Sequence, residues 1–95
     1  MEITKVKAGH QLKLFIVGRI DAITSTQLSE VIDQEIEGVD TIIMDFLGVD
    51  YIASAGLRVL LSTKKRVKEL TVVHTSENVR EVFEMTGFDQ FITLK

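Results

Sequence analysis

The chain contains no cysteine and no proline, and its charge leans to neither a basic nor a strongly acidic extreme. Without cysteine there is no disulfide scaffold and no thiolate metal site, a composition that fits a reducing compartment. Eleven Lys and Arg against fourteen Asp and Glu leave a net charge of −3. Nucleic-acid binding leans on clustered basic residues that neutralise phosphates, so DNA or RNA is not the expected partner. No apolar run approaches the ~20 residues that a membrane span requires. The first residues, Met1 to Lys5, enter an alternating pattern at once and leave no room for a signal peptide, so cytoplasmic residence is expected. At 95 residues, 45% hydrophobic and 26% charged, the whole chain (1–95) reads as one ordinary globular domain.

With proline absent, glycine marks the joints between elements. Residues 3–8 alternate weakly, and Ala8-Gly9-His10 reads as a hairpin turn into a strand over 12–17. Thr24 or Ser25 can cap a helix whose apolar positions Leu28, Val31, Ile32 and Ile36 follow helical spacing. Ile42, Ile43, Met44 and Phe46 form a nearly continuous apolar run, the pattern of a strand covered on both faces. Leu57, Leu60, Leu61 and Val67 mark a second helix, with Lys64, Lys65, Arg66 and Lys68 in its last turns. A strand over 70–74, a third helix capped by Ser76 and ended by Gly87, and a last strand over 91–94 complete the chain. In the third helix and its exit, Phe83, Met85 and Phe88 read as core or near-core packing. The order β-β-α-β-α-β-α-β implies an α/β domain. It should hold a mixed, mostly parallel sheet with an N-terminal antiparallel hairpin and about three helices packed on it.

Catalytic signals are few. Ile52-Ala53-Ser54-Ala55-Gly56 has half of a Gly-x-Ser-x-Gly nucleophile elbow, but Ile52 stands where the first glycine is needed. A serine nucleophile also needs a base, and spacing places neither His10 nor His74 beside Ser54. No phosphate loop, dinucleotide fingerprint or His-Glu-x-x-His motif is present. Asp21, Asp45 and Asp50 could approach one another at one sheet end, but isolated carboxylates of this kind are better read as turn and cap residues than as a metal site. Ser54 itself could be an ordinary helix N-cap. Its neighbours Ala53, Ala55 and Gly56 are too small to shield it, so the helix start is open to another protein or to a phosphate on the hydroxyl.

Three segments in order resemble one family over essentially the whole chain. Asp45-Phe46-Leu47-Gly48-Val49-Asp50-Tyr51-Ile52-Ala53-Ser54-Ala55-Gly56-Leu57 resembles the signature of STAS domains, specifically the anti-sigma factor antagonists of bacterial partner-switching systems. Gly18-Arg19-Ile20-Asp21-Ala22 is similar to the turn before that family's first helix, and Ser76 to Phe88 to its closing helix. The resemblance implies a non-catalytic, cofactor-free protein, and a compact acidic monomer is the default expectation for a chain of this size and charge. Unphosphorylated, it would bind an anti-sigma factor that is also a serine kinase and so release a sigma factor. The kinase supplies ATP and Mg²⁺, and a metal-dependent serine phosphatase reverses the modification. By motif position the phosphoacceptor falls on Ser54. The implied partner surface comprises Asp21, Ala22, Asp50, Tyr51, Ala53, Ser54, Ala55, Gly56 and Arg58. Ala53 stands where phosphorylated members commonly carry Asp, and Arg58 where they carry Gly, while Ala55 leaves Ser54 the only hydroxyl in the motif. STAS proteins that attach to the ATPase of an ABC-type lipid transporter offer a different implied role, as a subunit without a switch.

Overall fold

A computed structural model describes all 95 residues. Its elements are β1 (Glu2–Ala8), β2 (Gln11–Val17), α1 (Ala22–Glu35), β3 (Thr41–Gly48), α2 (Ser54–Lys64), β4 (Glu69–Val73), α3 (Glu77–Thr86), a short 3₁₀ turn (Phe88–Gln90) and β5 (Thr93–Leu94). The sheet runs β1-β2-β3-β4-β5; β1 and β2 are antiparallel, and every later pair is parallel.

That order decides where the helices go. Each parallel connection steps one strand in the same direction, and right-handed crossovers then place α1, α2 and α3 on one side of the sheet. The burial pattern agrees with this. Leu12, Ile42 and Leu70 are register partners, as are Leu14, Met44 and Val72, and all six are buried. The alternate residues, from Lys13 and Phe15 to Ile43, face the other way and stay partly or fully open. The run Ile42-Ile43-Met44 therefore does not mark a strand covered on both faces: Ile43 is only half-buried, because no layer lies over the second face. Nineteen buried apolar residues form the core between sheet and helices, with the Phe46 and Phe83 rings 6.4 Å apart at its centre.

The element ends show other departures from pattern. Helix α1 starts earlier than a Thr24 or Ser25 cap requires, because Asp21 takes the N-cap position and Thr24 becomes its reciprocal partner. Its C-terminus has no basic residue in the last turn; instead Lys7 reaches across from β1 to the carbonyls of Glu35 and Glu37 at 3.0 and 3.2 Å. Helix α2 ends at Lys64, so Lys65, Arg66 and Lys68 lie beyond it, and Arg66 pairs with Asp33 of α1 at 2.6 Å. Phe91 belongs to the exit of the 3₁₀ turn, which shortens the last strand to two residues. In α3, Phe83 is buried as expected, but Met85 is 86% exposed on the outer side.

β3 leaves the sheet through a bulge. Phe15 pairs with Asp45 and Val17 with Gly48, so Phe46 and Leu47 together oppose the single residue Ile16. The Leu47 amide donates to the Asp45 carboxylate at 2.9 Å, which satisfies a donor that the interrupted ladder cannot. A Cβ on Gly48 would sit 2.9 Å from Val17 Cγ2, so the strands close at this point only because residue 48 has no side chain.

Candidate functional site

Two helix starts lie side by side at the C-terminal end of the parallel strands, and they are finished differently. At α1 the Asp21 carboxylate accepts from the amides of Ile23 and Thr24 at 3.0 and 2.9 Å, while the Asp21 amide donates to the Thr24 hydroxyl at 2.8 Å. The Thr24 amide and hydroxyl, then the Ile23 amide and the Arg19 charge, outweigh slight desolvation and hold the Asp21 carboxyl below its ordinary range. At α2 the N-cap is Ala53, which has no side-chain acceptor to offer. Ser54 is the first helical residue rather than the cap. The first backbone amide of α2 with a partner is that of Leu57, bonded to the Ala53 carbonyl at 3.1 Å, which leaves those of Ser54, Ala55 and Gly56 free.

The two starts are tied together by a short parallel bridge. Ile20 pairs with Ile52, the Ile20 amide donates to the Tyr51 carbonyl at 3.0 Å, and the Ala53 amide donates to the Ile20 carbonyl at 2.8 Å. Ile20 and Ile52 are both buried and form the floor on which α2 sits. Gly56 meets that floor. A Cβ there would lie 2.7 Å from Ile20 Cγ2 and 2.8 Å from Ile52 Cγ1. Gly56 is thus buried and serves the close approach of helix to bridge, so it offers a partner no surface of its own.

Above this floor the expected residues come together. Asp21 is half-buried, Ala22, Asp50, Tyr51 and Ser54 are exposed, and Ala53 and Ala55 are partly covered. Ser54 is open to solvent, its hydroxyl free of any hydrogen bond within the protein. Arg58 is exposed one turn further along α2, at the i+4 spacing that puts it on the same helical face as Ser54. The remaining chemistry-bearing side chains are engaged elsewhere. His10 Nδ1 lies 2.9 Å from the Gly38 carbonyl, and His74 Nδ1 lies 3.1 Å from Asp45 Oδ2. Asp21 and Asp45 each cap a backbone turn, and no three acidic or histidine side chains converge as a metal site would require.

Burial pulls the Asp45 carboxyl upward, but the hydrogen bonds from Leu47 and His74 together with the charges of His74 and Lys13 outweigh it and hold the group below its ordinary range.

Three residues of this surface escaped the motif-based expectation. The Arg19 guanidinium stacks 4.1 Å from the centre of the Tyr51 ring, clamping the loop after β3 against the turn before α1. Ile23 and Leu47 are 82% and 79% exposed, although both are large and apolar. Both were within reach of periodicity. Ile23 falls off the Ser25, Leu28, Ile32 stripe that α1 buries, and Leu47 is out of step with Ile42, Met44 and Phe46.

Comparison with known proteins gives a consistent picture. The STAS domain family profile matches residues 2–95. BtrV of Bordetella bronchiseptica, provisionally named an anti-sigma factor antagonist, is 34% identical over 93 residues, covering 93% of this chain and 80% of BtrV. The anti-sigma-B factor antagonist of Listeria monocytogenes is 31% identical over 101 residues, covering 100% of this chain and 87% of the relative. Among solved structures, the anti-sigma factor antagonist SpoIIAA in its unphosphorylated form superposes with a TM-score of 0.86 at 19% identity, covering 99% of this chain and 88% of SpoIIAA. The phosphorylated form of the Bacillus protein SpoIIAA gives 0.76 at 18% identity, covering 99% and 91%.

Proposed function

The chain belongs to the STAS domain family, and on that premise we propose that it is an anti-sigma factor antagonist whose binding is switched by phosphorylation of Ser54. In the unphosphorylated state it binds an anti-sigma factor that is also a serine kinase, and the sigma factor is released. The contact runs over the Asp21 turn, the loop 48–53 and the start of α2. Transfer of a phosphoryl group to Ser54 by the kinase ends the contact, and a metal-dependent serine phosphatase restores it. The chain contributes no catalysis and no cofactor of its own, and it acts in the cytoplasm. Its relative from Listeria monocytogenes carries the antagonist name, and SpoIIAA has been solved in both phosphorylation states.

The observation that carries the switch is the unfinished end of α2: an exposed, unbonded Ser54 hydroxyl beside three free amides and a cap without a side chain. A helix start of this kind tolerates added negative charge well, since the dipole and the free donors favour it. Phosphate brings a charge of about −1.5 to −2. The fold therefore accepts the modification. A partner packed against the same spot does not, because a desolvated charge facing it costs several kcal/mol, and ~3 kcal/mol already weakens binding more than a hundredfold.

The test is affinity for the anti-sigma kinase encoded in the same genome, measured by calorimetry with unmodified protein and Ser54→Asp. Tight binding by the first and a loss of at least tenfold by the second support the reading. Equal affinities would remove Ser54 charge as the gate.

A further inference from the structure

The second face of the sheet is not uniform. At the N-terminal end of the parallel strands it is polar, with Gln11, Thr41 and Glu69 side by side in register. At the C-terminal end it turns apolar, and there a groove of about 350 Å³ opens between Phe15, Val17, Leu47 and Gly48, with Asp45 at its base. Phe15 is 37% and Val17 51% exposed, and Leu47 stands almost free.

Strand alternation and the bulge together shape this groove. Alternation along β3 already puts Leu47 on the same face as Ile43 and Asp45; the Asp45 carboxylate holds the Leu47 amide, and the extra residue brings Gly48 beside Val17. Gly48 lets the strands close again against Val17. Leu47 is thus left 79% exposed at the edge of the groove, a large apolar side chain standing in water.

Leu47 and Gly48 also lead directly into the loop 48–53. Gly18 donates to the Gly48 carbonyl at 3.0 Å, and the next turn of chain carries Tyr51 under Arg19. The groove and the surface around Ser54 are therefore continuous around one end of the sheet. A second copy of the chain is a poorer occupant. Five strands ~4.8 Å apart and about six residues long present on the order of 400–500 Å², of which the polar end is no help, against ~800 Å² per partner in a stable pair.

We propose that this groove is the second half of the partner-binding surface and takes an apolar side chain of the anti-sigma kinase, with Leu47 and Val17 as its anchors. The inference rests on the proposed function and extends it: Ser54 gates the contact, and the groove supplies affinity that phosphorylation does not touch.

The experiment measures the affinity of the same anti-sigma kinase for wild type, Leu47→Asp, Val17→Thr and Met85→Asp. Thermal melting is recorded for each, along with sedimentation of the free proteins. Leu47→Asp should melt like wild type, since its side chain is already in solvent, and should bind at least tenfold more weakly. Val17→Thr should weaken binding severalfold. Met85→Asp, equally exposed but on the helical side, should bind like wild type. Unchanged affinity for Leu47→Asp beside tight wild-type binding overturns the groove and leaves the Ser54 reading standing. Absence of wild-type binding overturns both. A wild-type dimer that Leu47→Asp dissociates would assign the groove to a second copy instead.

Discussion

The Ala53 amide donates to the Ile20 carbonyl at 2.8 Å, and this one bond sets the start of α2 against the start of α1. The two helix ends it joins are opposites. One is closed by the carboxylate of Asp21, and the other is left open at Ala53. An open, donor-rich end beside a closed, acidic one gives the site its polarity, and the consequences are measurable.

Gly56→Ala should destabilise the protein. The new methyl would meet Ile20 and Ile52 side chains at 2.7 and 2.8 Å, buried groups with little room to yield. Overpacking of this kind costs about 1–3 kcal/mol, only partly offset by the ~1 kcal/mol that alanine gains over glycine within a helix. Urea denaturation should show a lower midpoint with an unchanged slope.

Ala53→Asp should do the reverse. A carboxylate at the N-cap can accept from the free amides of the first turn, a change that contributes ~1 kcal/mol in helices generally. For a domain of this size that is a rise in Tm of roughly 4–8 °C, readable by calorimetry.

These two positions show what pattern could and could not reveal. The opening hairpin, the mostly parallel sheet and the existence of three helices follow from the apolar periods of residues 12–17, 28–36, 42–46, 57–61 and 79–83, because period and topology rules act on sequence alone. The open second face did not follow. A run such as Ile42-Ile43-Met44 has the same spelling whether one side is covered or two, and only the consistent direction of the crossovers settles it. At the site, Ser54 stood out through its small neighbours, and Asp21 through its motif. The role of Gly56 and the stacking of Arg19 on Tyr51 depend on residues more than thirty positions apart meeting across the Ile20–Ile52 bridge, which no local pattern encodes.

Acid should weaken the fold through two identified carboxylates. Asp21 and Asp45 both have folded-state values below the ordinary 3.8. A depressed carboxylate adds stability that is fully present above the unfolded value and disappears as pH falls through the lower folded one. Stability should therefore be level with respect to these groups above about pH 5 and decline below pH 4. Asp21→Asn and Asp45→Asn should each flatten that decline in urea melts taken from pH 5 to pH 2.5.

Ser54→Asp should leave the fold intact. The added carboxylate sits at a helix start with unpaired amides, where a negative charge is favourable by about 0.3–1 kcal/mol. Its midpoint in urea should match or slightly exceed that of wild type. A large loss would mean that the helix start is closed to charge.

The most direct measurement is to incubate the protein with its anti-sigma kinase and ATP, map phosphate by mass spectrometry, and then titrate the modified protein back onto the kinase. A single phosphate on Ser54 and a loss of affinity are the predicted result. Stoichiometric phosphate at another residue, or phosphate on Ser54 with affinity unchanged, would contradict it.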